Sequence, residues 1–173
     1  MELLDIYNEN NEPLHKSYDR EKVHNEGLWH HEILVIIVNN KNQVLLQKRS
    51  YKRRHLPGKW ALCAGHVISG ETEKATAVRE LKEELGIKIL QKDLEFIEIH
   101  KKGDPTNKKF SYIYLLKTDK KIKEIKIQTD ELTCAKYVSI NKVMRLIKKK
   151  EKYLAFADEY HYELFKRILN NTI

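Results

Sequence analysis

Three glutamates lie close together in a 173-residue chain that is otherwise rich in lysine. Glu80, Glu83 and Glu84 are three and four positions apart, so a helix would project all three from one side. Like charges at that spacing destabilise a helix by roughly 0.2–0.5 kcal/mol per pair. Arg79 supplies one positive charge, which does not balance three carboxylates. A hard divalent cation that takes oxygen ligands, Mg²⁺ or Mn²⁺, does balance them.

The apolar residues around these acids predict the helix that would carry them. Apolar side chains recur at helical spacing over residues 72–85, and Gly86 follows where a helix usually ends. The residues predicted to be buried are Ala75, Val78, Leu81 and Leu85. At 100° per residue the glutamates lie beside this stripe, at the rim of the buried layer. The alternative is an acidic helix face that is solvated and binds nothing.

The rest of the chain predicts a sheet around this helix. Strands are predicted at 3–7, 32–38, 43–49, 94–100, 110–117 and 135–140, and closing helices within 140–150 and 155–169. The strands of 32–38 and 43–49 are joined by a tight polar turn, as in a β-hairpin. This order predicts an α/β fold with a mixed β-sheet. We expect a single domain over 1–173, with an N-terminal extension and edge strand in 1–30 and C-terminal helices in 141–173.

Composition limits the compartment and the partners. The two cysteines, Cys63 and Cys134, form no CxxC motif, so a disulfide framework and a zinc knuckle are both disfavoured. The sequence shows no signal peptide and no apolar run long enough to span a membrane. We therefore expect a cytoplasmic protein with no membrane partner. The net charge of +8 fits either a polyanionic ligand or a solvated lysine surface. Because few aromatics lie between the scattered lysines, nucleic acid is a disfavoured partner.

A longer motif contains the three glutamates. It consists of Gly65, five residues, Glu71, seven residues, and then Arg79-Glu80-Leu81-x-Glu83-Glu84-x-Gly86-Ile87. This spacing matches the Nudix box at every defined position. The chain resembles the Nudix hydrolase superfamily over roughly residues 30–145, including the flanking "LLQKRS", "PGKW" and "AGHV". The fold that this resemblance implies is the Nudix α/β/α sandwich.

The resemblance also implies a role for each matching residue. Glu80, Glu83 and Glu84 would bind Mg²⁺ or Mn²⁺, helped by the backbone carbonyl of Ala64. Glu71 and Arg79 would form an ion pair that orients the acids. Either Glu83 or Glu84 would position or deprotonate the attacking water. Because some family members place this base on a later loop, Glu131 is a further candidate, and an ordinary solvated acid is the alternative.

The implied reaction is cleavage of a diphosphate linkage by water attack at phosphorus. The substrate class is a nucleotide or a nucleoside diphosphate linked to some group X. The identity of X stays open, and so does a homodimer. Six aromatics are candidates for stacking on a base, although a core position is the favoured interpretation for each: Trp29, Tyr51, Trp60, Phe96, Phe110 and Tyr112.

The segment before the box resembles one branch of the superfamily, the isopentenyl-diphosphate isomerases and their hydrolase relatives. Its sequence is "HNEGLWHHEILVIIVNNKNQVLLQKRSYKRRHLPGKW". Ungapped alignment of "QKRSYKRRHLPGKW" implies that Arg49 and Arg53 bind substrate phosphates, a contact that suits the planar guanidinium. His24, His30 and His66 fall near the metal-binding histidines of the isomerase. Solvated arginines and structural histidines remain the alternatives.

Two departures favour hydrolysis over isomerisation, which needs a cysteine and a glutamate as its acid–base pair. The isomerase cysteine directly precedes the Gly-His dipeptide, but here Ala64 holds that place and Cys63 comes one residue earlier. The isomerase Glu-x-Glu falls near residues 107–110, which read "NKKF" and contain no carboxylate. Isomerisation is therefore the alternative function. A second alternative is a non-catalytic module that binds nucleotides or RNA. Binding alone would not require Glu80, Glu83 and Glu84 to be kept together.

Overall fold

The structure is a computed structural model that describes residues 2–105 and 107–171. Its strands are β1 Leu3–Tyr7, β2 Pro13–Asp19, β3 Trp29–Val38, β4 Gln43–Arg49, β5 Trp60–Ala61, β6 Cys63–His66, β7 Glu95–Asp104, β8 Asn107–Lys117 and β9 Leu132–Ser139. Its α-helices are α1 Arg20–Asn25, α2 Glu73–Leu85, α3 Ile140–Lys148 and α4 Glu159–Leu169. None of the described helices has the length and apolarity needed to cross a membrane.

Most of the elements that the sequence predicts are present, with shifted ends. The strand predicted at 43–49 is β4, and the helix predicted at 72–85 is α2, which begins one residue later. Strands β7 and β8 extend beyond the predicted segments and form an antiparallel hairpin. Strand β2 and helix α1 were not predicted. Nearly every residue of β2 is exposed, so its sequence "PLHKSYD" lacks the apolar alternation of a half-buried strand.

The described chain forms two compact units. The first consists of residues up to Val35 together with Ala64–Glu80 and Ile89–Leu115. The second consists of Ile36–Cys63, Leu81–Lys88 and the residues from Leu116 onward. Strands β3 and β8 and helix α2 each contribute residues to both units.

In the first unit, β1 lies between two other strands. It pairs antiparallel with β2, with Leu3 opposite Asp19, and with β3, with Ile6 opposite His30. The prediction that 3–7 is an edge strand is therefore wrong, because the unpredicted strand β2 pairs with its outer side. A small core forms here from three buried side chains with three partly buried ones packed against them: Leu4, Ile6 and Val23, with Tyr18, Leu28 and Ile68.

In the second unit, β4 is paired on both sides. Its partners are β9, in a register that runs from Gln43 opposite Ser139 to Arg49 opposite Leu132, the short strand β5, and β3, whose Val38 lies opposite Val44 as in the predicted hairpin. Helices α3 and α4 contribute buried apolar side chains to this unit: Ile140, Val143, Ile147, Leu164, Phe165 and Ile168. Both helices begin at a capping side chain, because Ser139 and Asp158 accept hydrogen bonds from the backbone N–H groups of Lys142 and His161.

Candidate functional site

The buried face of α2 differs from the face that the sequence predicts. Leu81 and Leu85 are buried as expected, but Ala75 and Val78 are only half-buried. The other buried positions are Thr76, Ala77 and Glu84. Small side chains at two of these positions allow close packing, which an apolar periodicity alone does not reveal.

The three glutamates of α2 therefore have different environments. Glu84 is only 4% exposed, so its predicted place at the rim of the buried layer is wrong. The side chain of Glu80 is 13% exposed, whereas Glu83 is exposed to solvent. A buried carboxylate is costly unless it is hydrogen-bonded or paired with a cation. Glu84 thus requires partners that an exposed acidic face would not.

In the first unit, Arg79 holds two acids of the motif. Its Nε donates to both carboxylate oxygens of Glu71 at 3.1 Å, and its Nη1 donates to Oε1 of Glu80 at 2.8 Å. The hydroxyl of Thr76 also donates to Oε2 of Glu71, at 2.7 Å. The structure therefore contains the Glu71–Arg79 ion pair that the resemblance implies. The same guanidinium fixes the carboxylate of Glu80.

Gly65 in β6 leaves room for the Glu80 carboxylate. A Cβ added at Gly65 would overlap Cγ, Cδ and Oε1 of Glu80. No positive φ explains this glycine, so its role is the close approach of a side chain to the backbone. Ala64, whose carbonyl the resemblance assigns to the metal, is the preceding residue of the same strand. Glu80 is thus held against the strand segment that the sequence analysis connects with the metal.

In the second unit, Glu84 is bound by Gln47, which the sequence analysis missed. Nε2 of Gln47 donates to Oε2 of Glu84 at 2.7 Å. Gln47 is 2% exposed, and its Oε1 has no hydrogen-bond partner in the described part of the chain. Buried acceptors usually pair with protein, water or an ion. The available signal was a polar residue that interrupts the buried apolar run of "QVLLQKR".

The two arginines expected to bind phosphate lie in and after β4. Nη1 of Arg53 forms a 2.8 Å ion pair with Oε1 of Glu131, the candidate base on the later loop. Nε of Arg49 donates to the carbonyl oxygen of His55 at 3.1 Å. The structure therefore joins two residues to which the sequence assigns separate roles. A substrate phosphate would compete with Glu131 for Arg53.

The three histidines form a compact cluster in the first unit. His24, His30 and His66 each offer one ring nitrogen, and these atoms lie within 4.8 Å of one another. Nε2 of His24 and Nε2 of His66 are 3.0 Å apart. Nε2 of His30 is buried and has no hydrogen-bond partner among residues 2–105 and 107–171. The cluster therefore presents converging nitrogens, one of them unsatisfied.

The surroundings of this cluster favour neutral rings. Nδ1 of His30 lies 3.0 Å from the carbonyl oxygen of Leu28, which places the proton on Nδ1 and leaves a lone pair on Nε2. Burial lowers the pKa of His30 below its usual value. Burial, followed by the positive charge of Arg20, lowers the pKa of His66 well below its usual value. Neutral imidazoles are the form that binds a metal.

The positions that would carry isomerase chemistry hold other groups. Cys63 is buried in β6. Nζ of Lys109, in the "NKKF" segment, forms a 2.6 Å ion pair with Glu32, and the hydroxyl of Ser111 donates to the same carboxylate at 3.1 Å. Burial raises the pKa of Glu32, but the charge and hydrogen bond of Lys109 outweigh it, so the net pKa is below its usual value. The "NKKF" segment therefore contributes a cation, and no carboxylate, to this ion pair.

Comparison with known proteins identifies the family. The family described as the NUDIX domain matches residues 28–160. An uncharacterized Nudix hydrolase of Listeria innocua is 33% identical over 155 residues, which are 84% of this chain and 85% of that protein. Nudix hydrolase 3 of Arabidopsis thaliana is 31% identical over 160 residues, which are 87% of this chain but only 21% of that protein. Isopentenyl-diphosphate Delta-isomerase 2 of Photorhabdus laumondii is 27% identical over 172 residues, covering 98% of this chain and 91% of that protein.

Solved structures give the same fold. A Deinococcus radiodurans protein superposes with a TM-score of 0.73 and 20% identity over 96% of this chain and 98% of that chain. The Nudix domain of Shewanella oneidensis NrtR, solved with ADP-ribose, superposes with a TM-score of 0.61 and 17% identity over 83% of this chain and 88% of that chain. The predicted α/β fold with a mixed sheet, of the Nudix type, is confirmed. With its complete box, the chain belongs to the Nudix hydrolase family.

Proposed function

We propose that this protein hydrolyses a diphosphate linkage in a nucleotide, or in a nucleoside diphosphate linked to a second group, by water attack at phosphorus. The observation that best supports this proposal is the burial of Glu84, which lies on the same helix as Glu80 and Glu83 and accepts a hydrogen bond from Gln47 of β4. An exposed acidic face would not place one acid in the buried stripe. The geometry thus supports an acid set built to hold a cation.

The donor set fits Mg²⁺ or Mn²⁺. Glu80, Glu83 and Glu84 supply hard oxygen ligands, and the unpartnered Oε1 of Gln47 is a buried acceptor beside Glu84. The carbonyl of Ala64 would complete the protein ligands. When bound, such an ion neutralises charge on the diphosphate and lowers the pKa of water.

The residues around the acids have distinct tasks in this proposal. Glu71 and Arg79 orient Glu80, and Gly65 leaves the space that Glu80 occupies. Glu83, the exposed acid of the three, takes the proton of the attacking water. The water oxygen bonds to phosphorus, and the bridging P–O bond breaks. The bridging oxygen leaves with its electron pair on the departing phosphate.

The proposed contacts with the substrate are between two arginines and its negatively charged phosphates. Arg49 and Arg53 bind phosphate oxygens, for which the Arg53–Glu131 ion pair must open. The ADP-ribose bound to the NrtR Nudix domain is an example of the proposed class, a nucleoside diphosphate with a second group attached. We also propose a cytoplasmic location, and neither nucleic acid nor a membrane as partner.

A substrate panel tests the proposal. The purified protein is incubated with Mg²⁺ or Mn²⁺ and with nucleoside di- and triphosphates, nucleotide sugars and dinucleotides. We expect release of phosphate or of a mononucleotide from at least one class, dependent on the metal. If no compound is cleaved with either ion, the hydrolase proposal is wrong.

Isomerisation is the alternative function, because several relatives are named isopentenyl-diphosphate Delta-isomerases. The buried Cys63 and the Lys109–Glu32 ion pair argue against it. Isopentenyl diphosphate therefore belongs in the same panel, and we expect no dimethylallyl diphosphate. Formation of that product would reverse the ranking of the two functions.

Replacing Gln47 tests its role as a positioning residue. Gln47→Leu removes the hydrogen bond to Glu84 and the free acceptor, and it introduces an apolar side chain of similar volume. We expect Mn²⁺ affinity, measured by electron paramagnetic resonance, to fall about tenfold or more, as for other residues that orient metal ligands. Gln91→Leu, at an exposed position, is the control. Unchanged Mn²⁺ affinity with a shifted urea midpoint would assign Gln47 a structural role only.

We further propose that the histidine cluster binds a transition metal. Imidazole nitrogens suit Zn²⁺, Co²⁺ or Ni²⁺ better than Mg²⁺. Three converging nitrogens, one of them buried and unsatisfied, fit such an ion. The Leu28 carbonyl that orients His30 is the kind of partner that metal-binding histidines commonly have.

Cobalt titration tests the histidine site. We expect Co²⁺ to give the visible absorption of a nitrogen-bound ion, and Zn²⁺ to remove it by competition. His66→Gln is expected to weaken Co²⁺ binding by at least about tenfold, since a ligand is lost. His15→Gln, at an exposed position in β2, is the matched control. The same spectrum and affinity in wild type and His66→Gln would contradict the site.

A further inference from the structure

The second unit contains a cavity that the hydrolytic proposal does not use. Its volume is about 570 Å³, which falls in the range of small-molecule sites. Strands β4, β5 and β9, helix α3 and the segment after α3 contribute its walls. The residues that carry the argument are Trp60, Lys136, Lys142, Leu146, Tyr153 and Leu154.

The cavity lies on the opposite face of β4 from Glu84. Lys136 is directly opposite Leu46, and Trp60 is opposite Lys48, in the strand pairs that flank β4. Leu46 and Lys48 point to one face of the strand, and Gln47 between them points to the other. Since Gln47 contacts Glu84, the cavity is separate from the acid that carries the proposed reaction.

The charged side chains that line the cavity are all positive. Lys136 and Lys142 line it, and none of its described lining residues is an Asp or a Glu. Within the described residues, neither lysine has a carboxylate partner within 4.0 Å. Nζ of Lys136 instead lies 3.8 Å from the ring centroid of Trp60, a cation–π contact that holds the ammonium against the wall. Both lysines are exposed to solvent, so the cavity offers two ammonium groups to an anion that enters it.

The apolar side chains that line the cavity indicate which uncharged part of a ligand would fit. The rings of Trp60 and Tyr153 and the side chains of Leu146 and Leu154 offer surface for a flat ring. Tyr153 is 43% exposed, so this surface is reachable from solvent. Aromatic walls with a few convergent charges are typical of sites for small organic ligands.

We propose that this cavity binds a planar aromatic anion, a ring that carries a phosphate or a carboxylate. The anionic group pairs with Lys136 and Lys142, and the ring packs against Tyr153, Leu146 and Leu154. The site is distinct from the acids of α2 and does not depend on the hydrolytic proposal. A ligand that engages Lys136 alters the environment of Trp60, which makes this indole the reporter.

Trp60 fluorescence in the Trp29→Phe variant tests the site, because Trp60 is then the remaining tryptophan. The probes are adenosine 5′-monophosphate and nicotinate, each with a neutral analogue, adenosine and nicotinamide, and all titrations are done in EDTA. We expect saturable quenching by at least one anion and weaker binding of its neutral analogue. Binding of the phosphate alone, or of the carboxylate alone, supports the site and identifies its anionic group.

Lysine variants locate the binding. The double variant Lys136→Gln/Lys142→Gln is expected to lower anion affinity at least about tenfold, since two charge-assisted contacts are lost. Lys149→Gln, at an exposed lysine outside the cavity lining, is the control for the loss of a surface charge and is expected to bind normally. Equal binding of neutral and anionic probes, an equal loss in Lys149→Gln, or no saturable response to either anion would overturn the proposal.

Discussion

Glu83→Gln is expected to lower the rate of hydrolysis by at least about a hundredfold, because a general base contributes roughly 10²–10⁴ to such reactions. Glu83 is the exposed acid of the three, so its carboxylate does not contribute to the buried face of α2. Glutamine keeps the size of the side chain and removes its charge. The measurement is steady-state turnover of the best substrate from the panel, together with Mn²⁺ affinity.

The matched control for this prediction is another glutamate-to-glutamine change on an exposed helix surface. Glu163→Gln in α4 removes one charge next to Lys166 and leaves α2 untouched. Exposed ion pairs of this kind contribute about 0.2–1 kcal/mol, so folding and turnover should both persist. Near-normal turnover in Glu83→Gln would remove this residue from the reaction.

Gly65→Ala is expected to reduce turnover about a hundredfold, the loss that a misplacement near 1 Å can cause at a reacting centre. The added Cβ would overlap the Glu80 carboxylate, so this side chain of α2 must move away from strand β6. Mn²⁺ affinity should fall with turnover, because the displaced group is a proposed ligand. The backbone itself tolerates alanine, since Gly65 has no positive φ.

Gly103→Ala is a matched control for the glycine change. A Cβ at Gly103 meets its nearest neighbour, the Trp29 ring, at 3.5 Å, which is ordinary van der Waals contact. Both variants reduce unfolded-state entropy alike, so they differ in what the methyl group meets. Equal metal affinity and turnover in the two variants would show that the approach of Glu80 to Gly65 has no functional role.

The sequence predicted the elements whose patterns are strong. The apolar period of α2 and the two apolar runs of the β3–β4 hairpin are long enough to identify a helix and two strands. The Glu71–Arg79 ion pair was implied by the resemblance to the Nudix box and is present in the structure. These features depend on residues that are close in sequence or on a motif of fixed spacing.

Other features depend on packing that no local pattern contains. The first five residues of strand β2 are exposed, so its sequence lacks the apolar alternation that would identify a strand. Because β2 was not predicted, its pairing with β1 could not be predicted either, and β1 was wrongly assigned to the edge of the sheet. The contact of Gln47 with Glu84 joins residues 37 positions apart, and only the folded chain shows it.

A crystal soaked in Mn²⁺ and measured at the manganese absorption edge tests the account most directly. We predict an anomalous peak bound by carboxylate oxygens of Glu80, Glu83 and Glu84, whether or not a second ion occupies the histidine cluster. Carboxylates without an ion at saturating Mn²⁺, with a peak at the histidines alone or no peak in the crystal, would contradict the central claim.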